Sequence, residues 1–218
     1  MKNKKFILLI ITFVLLVLLV AFCLQANSWI IPQYGTADTQ LFLKINGLHH
    51  AFFDPIMYAL SSKLFWIPFY AALIWWMWKR FGKQVLWVLL FVALMITSAD
   101  RISSGILKNS VKRLRPSHEM ALSSQIHLSK AGPGGNYGFV SSHATNCFSL
   151  SLFLWMVLPA KDRNLKIVIL FWAIFVSYSR IYNGVHYPLD VFFGGLIGTL
   201  IGLTFGQLYQ LFFPNQKI

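Results

Sequence analysis

Three short stretches of the chain carry side chains that could do chemistry together. They are Lys108 with Arg115 and Pro116, then Ser141, Ser142 and His143, then Ser179 and Arg180 followed by His186 and Asp190. The set supplies three cations for phosphate oxygens, a histidine to attack phosphorus, a carboxylate to hold that histidine, and a second histidine to protonate a leaving group. Phosphoryl transfer is the chemistry that fits it.

Each stretch alone also has a plainer reading. Lys108 and Arg115 stand at i and i+7, on one face of a helix that runs on until Pro116 ends it. A basic helix end meeting lipid phosphate has the same appearance. Ser141 opens a helix after the Gly-rich segment 131–138, where unpaired N–H groups suit a side-chain cap and an anion equally. His186 and Asp190 are four residues apart. Pro188 favours the first helical position, which puts His186 just outside the helix and Asp190 in its first turn. The carboxylate then accepts one ring N–H and leaves the other nitrogen nucleophilic. A purely structural His–Asp pair uses the same spacing.

The elements that must position these groups are apolar helices. Hydrophobic residues make up 57% of the chain and charged residues only 11%, and the mean hydropathy is positive, far from a soluble average. With 218 residues there is room for about six spans of roughly 20 residues each, so a single integral-membrane domain, 1–218, is expected. The spans are drawn at 6–24, 64–78, 85–107, 142–158, 165–179 and 189–213. The first is read as a retained helix, because it is too long for a usual signal core and lacks a good cleavage site. Residues 28–62, mixed in polarity at loosely helical spacing, read as helices lying along the membrane surface.

Lysine and arginine set the orientation. Lys2, Lys4 and Lys5, then Lys79, Arg80 and Lys83, then Lys161, Arg163 and Lys166 fall on one side if six helices alternate. That side is expected to be the cytoplasm, with both termini there, and all three stretches then lie on the non-cytoplasmic rim. The net charge of +13 is largely absorbed by these anchors and by the motifs, which argues against nucleic acid and for anionic lipid. Cys23 and Cys147 sit in apolar helices and read as packing residues, with no disulfide framework and no metal-ligand spacing. His49, His50, His118 and His127 are given no role. Asp100 and Arg101 read as structural support for the motif helix, since charges inside a span need an interior partner.

Lys-x6-Arg-Pro, then Ser-x-His, then Ser-Arg-x5-His-x3-Asp, in this order over residues 100–218, resembles the type 2 phosphatidic acid phosphatase superfamily. The resemblance implies an all-α bundle of six transmembrane helices and a reaction through a phosphohistidine that needs no metal or other cofactor. It implies His186 as nucleophile, Asp190 as its orienting partner, and His143 as acid for the leaving alcohol and later base for water. Lys108, Arg115, Ser141, Ser142 and Arg180 would line the phosphate. One position departs from the family pattern. Pro-Ser-Gly-His is usual, and Val140-Ser141-Ser142-His143 stands here, which adds a side chain where backbone N–H groups should approach phosphate.

The expected partners are a lipid phosphate and membrane lipids, with no obligate protein partner. Undecaprenyl diphosphate, phosphatidylglycerol phosphate, phosphatidic acid and lipid A are the candidate substrates, with a slight preference for a polyprenyl diphosphate or similar bacterial lipid. The expected location is the bacterial inner membrane. A phosphotransferase of the same fold and a non-catalytic lipid-binding or transport protein are the alternatives.

Overall fold

Apolar runs of this length become helices because lipid offers no hydrogen-bond partner, so each backbone N–H and C=O must be satisfied within its own segment. The computed structural model describes residues 2–26 and 36–214. In chain order its α-helices are α1 (Lys2–Leu24), α2 (Ala37–Asn46), α3 (Asp54–Ser61), α4 (Ile67–Phe81), α5 (Val85–Asp100), α6 (Lys108–Val111), α7 (Ser142–Val157), α8 (Arg163–Tyr182) and α9 (Pro188–Phe212). A π-helical segment, Arg101–Leu107, joins α5 to α6. No strand occurs among the described residues, only an isolated bridge between Leu114 and Tyr137.

Helices stand at each of the positions drawn from the sequence. Among the described residues, four helical stretches are long and apolar enough to cross a membrane: Asn3–Leu24, Leu64–Val111, Ala160–Tyr182 and Pro188–Phe212. The second includes Gly82, which separates α4 from α5 with a φ of +58°, a conformation glycine adopts without steric cost. The chain is thus an all-helical membrane protein over its described residues. Cys23 and Cys147 are free and buried, as packing residues should be. Of the expected surface stretch, residues 28–35 lie outside the described residues, and the remainder forms α2 and α3.

Close approach of α7 and α9 sets the core. Gly194, Gly198, Gly202 and Gly206 recur every four residues along α9, and small residues at that spacing let membrane helices meet at their backbones. A Cβ at Gly198 would lie 2.3 Å from the Thr145 carbonyl oxygen, and one at Gly202 would lie 2.4 Å from that of Ser149. Ser149 Oγ donates to the Gly198 carbonyl at 3.1 Å. At the end of this seam the Ser141 N–H donates to the Asp190 carbonyl at 2.9 Å, which fixes the start of α7 beside the start of α9. Gly198→Val should therefore cost about 1–3 kcal/mol through overpacking, measured as a lower Tm of the detergent-solubilised protein. An unchanged Tm would contradict this reading of the seam.

Helices α2 and α3 clamp the turn between α8 and α9. Asn46 Nδ2 donates to the Tyr182 carbonyl at 2.8 Å and to the His127 carbonyl at 2.9 Å. Asn183 Nδ2 donates to the Met57 carbonyl at 3.0 Å. Asp54 accepts the Tyr182 hydroxyl at 2.8 Å and lies 3.1 Å from His127 Nε2, and His127 stacks on His49 at 4.0 Å. Two histidines to which the sequence assigned no role thus belong to the clamp.

Candidate active site

Pro188 opens α9 at its first position, with Tyr187 as N-cap. His186 therefore lies just before the helix and Asp190 in its first turn, as the sequence suggested. His186 Nδ1 is 3.3 Å from Asp190 Oδ2, and both side chains are buried. The same oxygen accepts the Tyr187 N–H at 3.0 Å. With Nδ1–H donating to the carboxylate, Nε2 carries the free lone pair. Burial pushes the His186 pKa well below the usual histidine value, and the nearby Arg115, Lys108, Arg180 and Arg113 push it the same way. The imidazole is therefore held neutral.

The other Asp190 oxygen is taken by a residue that sequence reasoning passed over. Arg113 Nη1 donates to Asp190 Oδ1 at 2.7 Å, and Arg113 Nη2 donates to Asp38 Oδ2 at 2.6 Å. The Arg113 side chain is wholly buried between these carboxylates, with its guanidinium 4.1 Å above the Tyr187 ring. Asp38 Oδ1 accepts the Leu189 N–H at 3.0 Å, which ties α2 to the first turn of α9. The available signal was a second arginine two positions before Arg115, and an aspartate in the first turn of α2.

The first motif needs a correction. Lys108 and Arg115 do not share one helical face, because α6 ends at Val111 with Lys112 in the left-handed region at φ +54°. Pro116 does not end that helix. Arg115 instead lies in extended backbone, its N–H donating to the Asn136 carbonyl at 3.0 Å and its Nε to that of Tyr137 at 3.2 Å. The glycines of the facing segment make room for it. A Cβ at Gly138 would sit 2.8 Å from Asp190 Oδ2 and 3.3 Å from Arg115 Cγ.

Ser141 occupies the N-cap position of α7 without capping it, and its buried hydroxyl has no hydrogen-bond partner. Of the two readings of that helix start, the anion site is the one that would use this hydroxyl. Ser142 is engaged differently, its Oγ 2.7 Å from Ser104 Oγ and accepting from Ser103 Oγ at 3.1 Å. The residue that replaces the family's glycine stitches α7 to the π-helical segment. Arg180 is buried and donates through Nη1 to Ser61 Oγ, while its Nε has no partner. Asp100 is met by the Asn146 amide of α7 at 2.9 Å.

A cavity of about 830 Å³ opens at this cluster. Its polar end is lined by Lys63, Lys108, Arg115, Ser142 and His143, and its far walls by apolar residues of α4, α5, α7 and α8. His186, Asp190, Ser141 and Arg180 are buried; Arg115 and Lys108 of the lining, with Arg180, lie near enough to act on His186, and the Ser141 N–H is bonded to the Asp190 carbonyl. All eight residues singled out in the sequence thus converge, and Lys63 joins them. A polar pocket continuous with an apolar one suits an amphiphile.

A family model described as the PAP2 superfamily matches residues 86–214. A lipid A 4'-phosphatase of Bacteroides thetaiotaomicron is 39% identical over 170 residues, covering 77% of this chain and 75% of that protein. A lipid A 4'-phosphatase of Porphyromonas gingivalis is 33% identical over 175 residues, covering 79% and 72%. Among solved structures, a transmembrane PAP2-type phosphatidylglycerolphosphate phosphatase from Bacillus subtilis superposes with a TM-score of 0.59 at 19% identity, covering 93% of this chain and 96% of that one.

Proposed function

Given that the chain belongs to the PAP2 superfamily and is a membrane phosphatase acting on lipid phosphates, we propose that it removes a terminal phosphate through a phosphohistidine at His186. The observation that carries this reading is the neutral, buried His186 with Nδ1 on Asp190 and cations around it. Nε2 attacks phosphorus in line with the leaving oxygen, and the bond from phosphorus to that oxygen breaks. The leaving oxygen takes a proton from His143. Lys108, Arg115, Arg180 and Ser141 hold the equatorial oxygens, where charge is spread in the transition state. His143, now neutral, takes a proton from water, the water oxygen attacks phosphorus, and the bond to Nε2 breaks to release phosphate. No step in this sequence calls on a metal.

The 1–218 chain acts as one integral-membrane domain of six spans in the inner membrane, with its termini cytoplasmic and the site on the opposite rim. The lysine and arginine distribution supports that orientation. The substrate is a lipid phosphate or diphosphate, and the names of the two relatives favour lipid A among the candidates.

Phosphate release from a panel of lipid mono- and diphosphates, in excess chelator, tests the reading. Release that stops with the chelator would overturn it, and transfer of the phosphoryl group to a second lipid instead of water would point to the phosphotransferase. Titration gives a second check. His186 is neutral when folded but binds a proton in the unfolded chain below about pH 6.5. Stability should therefore fall as pH drops through that value. The Tm of the wild type should decline from pH 7 to 5 more steeply than that of His186→Asn, and parallel profiles would count against the assignment.

A further inference from the structure

Arg180 is held by a residue outside the three stretches singled out in the sequence. It lies in an apolar stretch long enough to cross a membrane, it is buried, and it forms no ion pair among the described residues. Its Nη1 donates to Ser61 Oγ of α3, and its Nε is buried without a partner. A guanidinium in such surroundings costs free energy until an anion meets it, and charges placed there mark function by default. A serine hydroxyl is neutral and leaves that charge unanswered. What it supplies is orientation. A planar fork pinned at one nitrogen has lost the freedom of its long stem before any phosphate arrives, so less is lost on binding.

Ser61 is itself fixed from both sides. It is buried and is the last residue of α3. One turn before it, the Met57 carbonyl accepts from Asn183 Nδ2 at the end of α8, at 3.0 Å. Immediately before it, the Leu60 carbonyl accepts from Trp66 Nε1 at 2.8 Å, and the Trp66 ring meets that of Trp172 on α8 edge-on at 5.7 Å. The last turn of α3 is therefore tied to the helix that carries Arg180. The Ser61 hydroxyl is not needed to end α3. The chain already leaves the helix at Ser62, in extended backbone with φ −84° and ψ 127°, whose N–H donates to the Ala59 carbonyl. Two residues on, Lys63 lines the polar end of the cavity, so the same segment borders the site.

We infer that Ser61 is a positioning residue for phosphate: its hydroxyl oxygen accepts from Arg180 Nη1 and holds the guanidinium in the orientation that binds the phosphoryl oxygens. The inference rests on the phosphate-binding role given to Arg180 above. It adds a residue that lies ahead of the matched region, 86–214, and makes the end of α3 part of the site. Ser61 touches no reacting atom and acts only through Arg180. Its effect must therefore vanish when Arg180 is gone, which separates it from a serine that merely packs α3 against α8.

The test is a double-mutant cycle read by oxyanion binding. Orthovanadate, a mimic of the transferring phosphoryl group, is titrated against the full-length protein in detergent, and its Kd is taken from the rise in Tm, so that inactive variants can be measured too. The proteins are the wild type, Ser61→Ala, Arg180→Ala and the double variant. Phosphate release from one lipid phosphate is followed in parallel. Ser61→Ala should raise the vanadate Kd about 10-fold and lower kcat/KM by a similar factor, the lower end of what a hydrogen bond to a charged group contributes. In the Arg180→Ala background the same change should alter the Kd less than about twofold. An equal loss in both backgrounds, or a Ser61→Ala protein that binds vanadate as the wild type does, would overturn the role of Ser61 alone. Vanadate binding unchanged in Arg180→Ala would overturn that role together with the assignment of Arg180. A wild type that neither binds vanadate nor releases phosphate would overturn the phosphatase reading beneath both.

Discussion

His186→Ala should lower kcat by roughly 10⁴- to 10⁶-fold, the scale on which loss of a nucleophile within a cooperating set is felt. In the proposed mechanism none of the other described groups at the site takes its place. Asp190 is shared between His186 and Arg113, and a carboxylate so paired is a poor nucleophile. In the proposed mechanism His143 moves the proton, and the Ser141 hydroxyl has no hydrogen-bond partner among the described residues that could act as its base. The fold should survive the substitution, because Asp190 keeps Arg113 and the Tyr187 N–H as partners. Substrate binding should survive as well, since Lys108, Arg115 and Arg180 remain. The expected signature is a nearly complete loss of kcat with a small change in KM, measured by phosphate release in micelles. Residual turnover within tenfold of the wild type would remove His186 from the mechanism.

Arg113→Ala should be the most damaging single change to stability. Its guanidinium joins Asp190 to Asp38 with no exposure of its own. Removing one partner from a buried ion pair typically costs about 3–5 kcal/mol, because an unpaired charge is left behind. Here two carboxylates are left, on α2 and α9, and they would face each other across the vacated space. Activity should fall with stability, since Asp190 loses the contact that holds it toward His186. Arg113→Lys separates the two effects. A lysine keeps the charge but not the planar fork that reaches both carboxylates, so it should recover part of the Tm and little of the kcat. The measurements are thermal unfolding in detergent and kcat on a single lipid phosphate. A Tm for Arg113→Ala within a degree of the wild type would contradict the buried bridge.

What the sequence disclosed was local. Apolar length marked the helices, Pro188 marked the first turn of α9, and the spacing from His186 to Asp190 marked the pair, since each depends on residues a few positions apart. What stayed hidden depended on long-range contact or on backbone choice. Asp38 and Arg113 are 75 residues apart, and nothing in the local pattern joins them. The left-handed Lys112 has no sequence signature of its own, so an i, i+7 helical face was inferred where the chain in fact turns out of the helix. Lys63 reaches the cavity only because α3 and α4 bring it there. Gly194, Gly198, Gly202 and Gly206 were readable as a small-residue stripe, and their spacing was the available sign that α9 lies against another helix at backbone distance.

The central claim is that the phosphoryl group rests on His186 between its two transfers. Phosphohistidine survives alkali and is lost in acid, so labelled substrate, an alkaline detergent quench and peptide mapping would locate it. Alkali-stable label should appear on the peptide holding His186, form in the presence of chelator, chase into inorganic phosphate, and be absent from His186→Ala. Label on a serine or an aspartate, or turnover by the variant, would contradict it.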